Sequence, residues 1–136
     1  MLAPAFAKKA RESAQVHAQV SVAAISTPVG YTGGECRLTA VAERVFRGSH
    51  SLPPASSVEF SVYCYLPPNR APTGPEWLDF GRLKVRSLLE VFFNQHAGDR
   101  QFEVAMWQIA FIDSLTQEPE PSLWYQDRHN DRGDGH

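Results

Sequence analysis

The chain has 136 residues, of which 43% are hydrophobic and 21% are charged, and its formal net charge is −2. This length and apolar content fit one globular domain and exclude an intrinsically disordered chain. No apolar run reaches the roughly 18 residues of a membrane-spanning helix, so no membrane span is predicted. Nucleic-acid binders usually carry a basic excess, which this chain lacks. Two cysteines are too few for a disulfide framework or a four-thiolate zinc site.

Residues 1–14 have two interpretations. The stretch from Pro4 to Gln15 is alanine-rich and predicts a short amphipathic helix. Ala5-Phe6-Ala7, however, has the small-x-small form of a signal-peptidase site, which would make residues 1–14 a signal-peptide remnant. We favour the helix, because Ala-x-Ala is frequent in any alanine-rich chain. The localisation therefore stays open between the cytoplasm and an exported, for instance bacterial periplasmic, location.

The first predicted strand covers residues 15–26. Val16, Val20 and Val22 share one face of this segment and polar side chains share the other, which is the two-residue period of a half-buried strand. A continuation of the N-terminal helix to Ala24 is the alternative. The spaced valines favour the strand.

Four further strands are predicted. The second strand, at 36–46, has broken apolar parity, which indicates a bulge or a strong bend. The third, at 58–66, alternates cleanly, and the fourth lies at 88–95. The fifth, at 102–115, is apolar on both faces, so we expect it to be central and to place Trp107 in the main core.

The segments between and after these strands set the domain boundaries. Residues 67–75 are rich in proline and predict an irregular surface loop, and residues 76–86 fit either a helical turn or an irregular strand. After residue 116 the composition becomes polar. We therefore expect a β-barrel domain at 15–116 and a largely disordered tail at 117–136.

The order of these elements predicts an all-β fold. A hairpin, a long connection and a second hairpin are typical of a small five-stranded Greek-key barrel of the OB type, with short helical additions at the N-terminus and between strands three and four. Closure into a barrel also removes exposed sheet edges. An immunoglobulin-type sandwich is the alternative, although it needs about seven strands.

One short segment resembles netrin-like and TIMP-like domains. In those domains an apolar strand ends in a basic residue followed by glycine, then a loop, then a valine-rich strand. Here the pattern is Arg47-Gly48 and then Ser57-Val58-Glu59-Phe60-Ser61-Val62. The resemblance extends in strand layout over residues 15–115 and implies an OB fold. Inhibitory members carry an N-terminal cysteine that binds the protease metal, and this chain has none near its start, so inhibition is not implied.

Motifs for catalysis and metal binding are not visible. The five histidines do not pair at metal-ligand spacing, and neither cysteine lies in a Cys-x-x-Cys motif. The sequence contains no nucleophile elbow, phosphate loop or dinucleotide fingerprint. We therefore predict no catalytic residue, no metal site and no cofactor. An enzyme with a site hidden from sequence analysis remains an alternative.

The strongest binding signal lies on the third strand. Tyr63 and Tyr65 share its less apolar face with Glu59 and Ser61. OB-type barrels use aromatic side chains on an exposed strand face to stack on bases or sugars. The alternative is that the N-terminal helix, or the segment 124–125, covers the two tyrosines.

These observations predict a non-catalytic binding or accessory module. The slightly acidic charge favours a protein or carbohydrate ligand over nucleic acid. A nucleic-acid-binding OB domain is the alternative, and it would need a basic groove across strands two and three. Arg37, Arg44, Arg47 and Arg70 are the candidates for such a groove.

Cys36 opens the second strand and Cys64 lies near the end of the third. If the hairpin closes by pairing Phe46 with Val58, the two cysteines are out of register along the ladder. A disulfide needs Cα atoms within about 7 Å. We therefore expect two buried free thiols rather than a disulfide.

Overall fold

The computed structural model describes residues 3–28, 30, 33–69, 77–84, 87–95 and 101–120. Within these residues the elements are α1 (Pro4–Ser13), β1 (Val16–Ile25), β2 (Gly33–Arg47), β3 (Ser57–Tyr65), β4 (Leu78–Asp79), α2 (Phe80–Leu83), β5 (Leu88–Gln95) and β6 (Phe102–Ile112). The predicted all-β class is confirmed, with its two short helices at the expected places. All five predicted strands are present, and β4 adds a sixth of two residues.

The six described strands form one sheet in the order β4-β3-β2-β1-β5-β6. β1, β2 and β3 are successive antiparallel neighbours, and β5 returns to the other side of β1, which is the Greek-key order. The sheet curls until β3 and β6 approach each other, with no ladder between them among the described residues. We call this gap between β3 and β6 the seam. The result is a half-barrel that is open along the seam.

The main core fills the inside of the curl. β1 contributes Val16, Ala18 and Val20, none of which has exposed surface. Phe60 of β3 and Phe93 of β5 meet there edge to face, with ring centroids 4.8 Å apart. Burial of each such ring stabilises the fold by roughly 1.5–3 kcal/mol.

Helix α1 packs on the outside of the sheet, against β6. Ala14, which follows the helix, forms a small apolar cluster with Phe92 and Ala105. Arg11 is buried and donates a hydrogen bond to the side-chain oxygen of Gln108. The N-terminal helix therefore covers the β5–β6 side of the sheet rather than the tyrosines of β3.

Cys36 and Cys64 form a disulfide, so the prediction of two free thiols is wrong. The error lies in the register of the hairpin. Val58 pairs with Ala40 rather than with Phe46, because the end of β2 beyond Val41 pairs with β1 alone. The bulges predicted for β2 are present as register shifts in its ladder with β1.

β6 is an edge strand of the described sheet, and the prediction that it is central is wrong. Its ladder with β5 passes from the pair Val91–Ile109 to the pair Phe93–Val104, so four residues of β6 stand against one of β5. This bulge gives Met106 and Trp107 φ angles of 45° and 60°. It turns their side chains outward, and Trp107 is 37% exposed instead of lying in the core.

Candidate functional site

A groove of about 180 Å³ lies at the seam. We call it the seam groove, and its lining residues are Glu35, Ser61, Val62, Tyr63, Leu78, Glu103, Val104, Trp107 and Ile109. An apolar cavity of roughly 150 Å³ is enough to hold a benzene ring. The seam groove therefore has room for one six-membered ring or one large apolar side chain.

The floor of the seam groove is apolar and its rim is aromatic. Val62, Leu78 and Ile109 belong to the buried core. Tyr63 stands on the β3 side with 40% of its surface exposed, and Trp107 stands on the β6 side. Exposed aromatic side chains on both sides of an apolar floor are typical of a ligand site.

Trp77 packs against the ring of Tyr63. Their ring centroids are 5.4 Å apart and the planes are tilted by 47°. The Nε1 atom of Trp77 is buried and has no hydrogen-bond partner among the described residues. This contact restricts the orientation of the Tyr63 ring at the rim of the seam groove.

Two carboxylates stand at the mouth of the seam groove. Glu35 of β2 lies directly opposite Tyr63, and Glu103 is on β6. Both side chains are exposed. Carboxylates accept hydrogen bonds from hydroxyl groups and attract cations, while they repel phosphates.

The backbone of β3 presents hydrogen-bonding groups to the seam. The carbonyl of Arg37 accepts from the amide of Ser26, and the amide of Arg37 donates to the Ser26 hydroxyl, so both groups of Arg37 point away from β3. Ser61 lies opposite Arg37, and the two residues therefore form a non-hydrogen-bonded pair. The backbone amide and carbonyl of Ser61 consequently point away from β2. Because direction alternates along a strand, Glu59 and Tyr63 have the same orientation.

Two of the four predicted site residues line the seam groove, and the other two do not. Ser61 and Tyr63 line the seam groove. Glu59 lies farther along β3, where its carboxylate accepts from the Thr39 hydroxyl at 3.4 Å. Tyr65 is partly buried and pairs with β4.

Sequence reasoning missed seven of the nine lining residues of the seam groove, and the polar and aromatic ones among them are Glu35, Glu103 and Trp107. Glu103 and Trp107 were not found because β6 was expected to be central, and no sequence signal marks its bulge. Glu35 lay outside the predicted second strand. The true register of β2 and β3, which puts Glu35 opposite Tyr63, was needed to find it.

A second polar cluster is buried on the outer face of β1 and β5. Glu90 has no exposed surface, and its carboxylate contacts His17 Nε2 and Gln19 Nε2, each at 2.8 Å. The amide of Glu120 donates to the same carboxylate at 2.9 Å. Thr116 exchanges hydrogen bonds with the Gln19 side chain. The cluster therefore binds residues 116–120 to the sheet.

A histidine beside a carboxylate is also the geometry of general-base catalysis. Here the pair has almost no access from solvent, since His17 is 7% exposed and Glu90 is 0% exposed. The His17 ring stacks on Phe92 with centroids 3.8 Å apart. This cluster holds residues 116–120 against the sheet. The seam groove is therefore the better candidate site.

No protein-family model, curated protein or solved structure matches the chain. In the described part of the chain, no group of three or more histidine, cysteine, aspartate or glutamate side chains is arranged to hold a metal ion. The described helices include none that is long and apolar enough to cross a bilayer.

Proposed function

We propose that the chain is a non-catalytic binding module that holds a protein or carbohydrate ligand in the seam groove. The observation that carries this proposal is the pair of exposed aromatic side chains, Tyr63 and Trp107, on opposite sides of an apolar floor. Burial of a large aromatic side chain at an interface commonly supplies a major part of the binding free energy.

The charges around the seam groove indicate which ligands fit. Glu35 and Glu103 place negative charge at its mouth, so a phosphate backbone would be repelled there. Hydroxyl groups of a sugar or cationic groups of a peptide would instead be attracted. The OB-type resemblance of the sequence agrees with a binding role but does not identify the ligand.

A nucleic-acid-binding role receives less support from the positions of the arginines. Arg47 donates to the backbone carbonyl of Arg11 and lies 5.9 Å from the Phe92 ring, on the α1 side of the sheet. Arg37 donates to the Ser61 hydroxyl at 3.3 Å. Arg70 lies outside the described residues. Arg44 donates to the carbonyl of the neighbouring Glu43. Arg37 and Arg47 therefore make their contacts at different places along β2 rather than in one basic groove.

Binding assays with groove variants test the proposal. The probes are a panel of neutral oligosaccharides and a display library of random linear peptides. Tyr63→Ala and Trp107→Ala are each expected to weaken the best probe by about tenfold or more, since each removes an anchoring ring. Phe6→Ala is the matched control, because Phe6 is 65% exposed on α1 and does not line the seam groove.

Two outcomes contradict the proposal. The first is that no oligosaccharide or peptide in either set binds the wild-type chain. The second is that the best probe binds Tyr63→Ala and Trp107→Ala as tightly as it binds Phe6→Ala. Thermal unfolding of each variant ensures that a loss of binding is not a loss of folding.

A further inference from the structure

We infer that the seam groove takes one ring of a neutral sugar, with its carbon–hydrogen face on the aromatic rim and its hydroxyl groups on Glu35 and Ser61. This inference rests on the proposed function and selects the carbohydrate among the ligands that it allows. Three features carry it: the width of the seam, the charges beside the groove, and the placement of an acceptor and a donor at its mouth.

The seam is too narrow for another strand. Cα atoms of β3 and β6 approach within 8 Å of each other. A strand seated between them would need about twice the spacing of neighbouring strands, which is roughly 9.5 Å. An extended peptide backbone therefore does not fit between β3 and β6. The space that remains is the groove of about 180 Å³, which has room for one six-membered ring.

The charged side chains beside the groove favour a neutral ligand. Glu103 has an interaction of its own, so Glu35 supplies the carboxylate that a ligand meets. Arg37 is exposed two residues farther along the same face of β2. One negative and one positive side chain therefore stand side by side, and a net charge on the ligand gains little from the pair as a whole.

Glu35 and Ser61 supply a hydrogen-bond acceptor and a donor at the mouth of the groove. Glu35 lies opposite Tyr63, and Ser61 is the next residue on the same face of β3, so the two are diagonal neighbours. The Ser61 hydroxyl accepts from Arg37 Nη1 at 3.3 Å, which leaves its own hydrogen for a ligand. The Glu35 carboxylate only accepts. Each sugar hydroxyl is both donor and acceptor, so one ring can satisfy both side chains.

The rim and the floor of the groove match the carbon–hydrogen face of a sugar ring. Tyr63 and Trp107 line the groove from opposite sides and are both exposed. Val62 and Ile109 form an apolar floor between them. A ring face that carries only C–H groups gains by leaving water for such a surface, and its C–H bonds contact aromatic π-faces favourably. An open-chain polyol has similar hydroxyl groups but no such face.

Titration of the full, disulfide-bonded chain with defined probes tests the inference. The probes are the panel of neutral oligosaccharides, the methyl pyranosides of glucose, galactose and mannose, the charged methyl glucuronide, and the open-chain polyol sorbitol. We expect the tightest neutral sugar to bind about tenfold or more tightly than sorbitol, because only the ring has an apolar face. We expect methyl glucuronide to bind no more tightly than methyl glucoside.

Variants of the chain complete the experiment. Glu35→Ala and Ser61→Ala are each expected to bind the tightest neutral sugar about tenfold more weakly, since each removes a hydrogen bond. Glu35→Ala should also raise the affinity for methyl glucuronide relative to methyl glucoside severalfold, because the charge of Arg37 is then unopposed. Glu12→Ala is the matched control, because Glu12 is exposed on α1 and does not line the seam groove. Thermal unfolding of each variant checks that the fold is kept.

The outcomes separate this inference from the proposed function. If library peptides bind in the seam groove and no sugar binds, the inference is wrong and the proposed function stands. The inference is equally wrong if sorbitol binds as tightly as the neutral sugars, if methyl glucuronide binds more tightly than methyl glucoside, or if Glu35→Ala and Ser61→Ala bind as Glu12→Ala does. If a sugar binds and neither Tyr63→Ala nor Trp107→Ala weakens it, both proposals are wrong.

Discussion

Cys36 and Cys64 are bonded diagonally across two strands, since Cys36 lies opposite Val62 and Cys64 lies opposite Gly34. Their Cα atoms are 6.3 Å apart, and both residues are fully buried. Cys64 directly follows Tyr63 and pairs with Leu78 of β4, so the bond fixes the strand that forms one wall of the seam groove. A disulfide is typical of oxidising compartments, which favours the hypothesis of an exported protein.

Removal of this disulfide is expected to destabilise the chain. The double variant Cys36→Ala, Cys64→Ala should lower the free energy of unfolding by about 2–4 kcal/mol, because the unfolded chain regains the entropy of an open loop. Urea unfolding with and without reductant measures this for the wild type and the variant. Reductant should destabilise only the wild type, and an equal stability of wild type and variant would contradict the prediction. Titration of the denatured, unreduced wild type should find no free thiol.

The buried carboxylate of Glu90 is expected to be a major contributor to stability. Glu90→Ala removes the buried carboxylate that contacts the side chains of His17 and Gln19 and accepts from the amide of Glu120. The expected cost is about 3 kcal/mol in urea unfolding, since buried polar groups lose their partner. Glu59→Ala is the control on an exposed strand position and should change stability by less than about 0.5 kcal/mol. Equal losses of stability in the two variants would show that the hydrogen bonds of Glu90 do not stabilise the fold.

Trp107 is expected to matter for binding far more than for folding. Because its side chain is at the rim of the groove, Trp107→Ala should cost less than about 1.5 kcal/mol of stability. Phe93→Ala removes a fully buried core ring and should cost about 3–5 kcal/mol. Denaturant unfolding of both variants measures the difference. A cost for Trp107→Ala as large as that for Phe93→Ala would place Trp107 in the core.

The bulge of β6 is expected to contain backbone strain. Met106 has a φ of 45°, a region that glycine adopts at no steric cost. Met106→Gly should therefore leave stability unchanged or raise it by up to about 1 kcal/mol, whereas Met106→Ile should lower it. The residue is 50% exposed, so little burial is lost in either variant. A clear loss of stability in Met106→Gly would argue against the left-handed conformation.

The positions of the strands could be predicted from sequence, whereas their register could not. Alternation of apolar and polar side chains identified β1 and β3 within one or two residues. Alternation fixes which face a residue occupies but not its partner, so the hairpin of β2 and β3 was paired wrongly. The extra residues of the β6 bulge carry no proline or glycine signal, and Trp107 was consequently assigned to the wrong side.

The candidate site was predictable only on its β3 side. Tyr63 and Ser61 followed from the alternation of one strand. Glu35 and Glu103 come from strands distant in the sequence, and only the curl of the sheet brings them to the same groove. The burial of Glu90 was also not predictable, because the segment that covers it is polar and gives no sign of packing.

We propose that ligands bind at the seam between β3 and β6. The most direct test is a ¹H–¹⁵N NMR titration of the full chain with its tightest-binding oligosaccharide or selected peptide. We expect the largest amide shifts in residues 61–63 and 103–109, with a further change at Glu35. Shifts centred on His17 and Glu90, or on helix α1, with the seam unchanged, would contradict it.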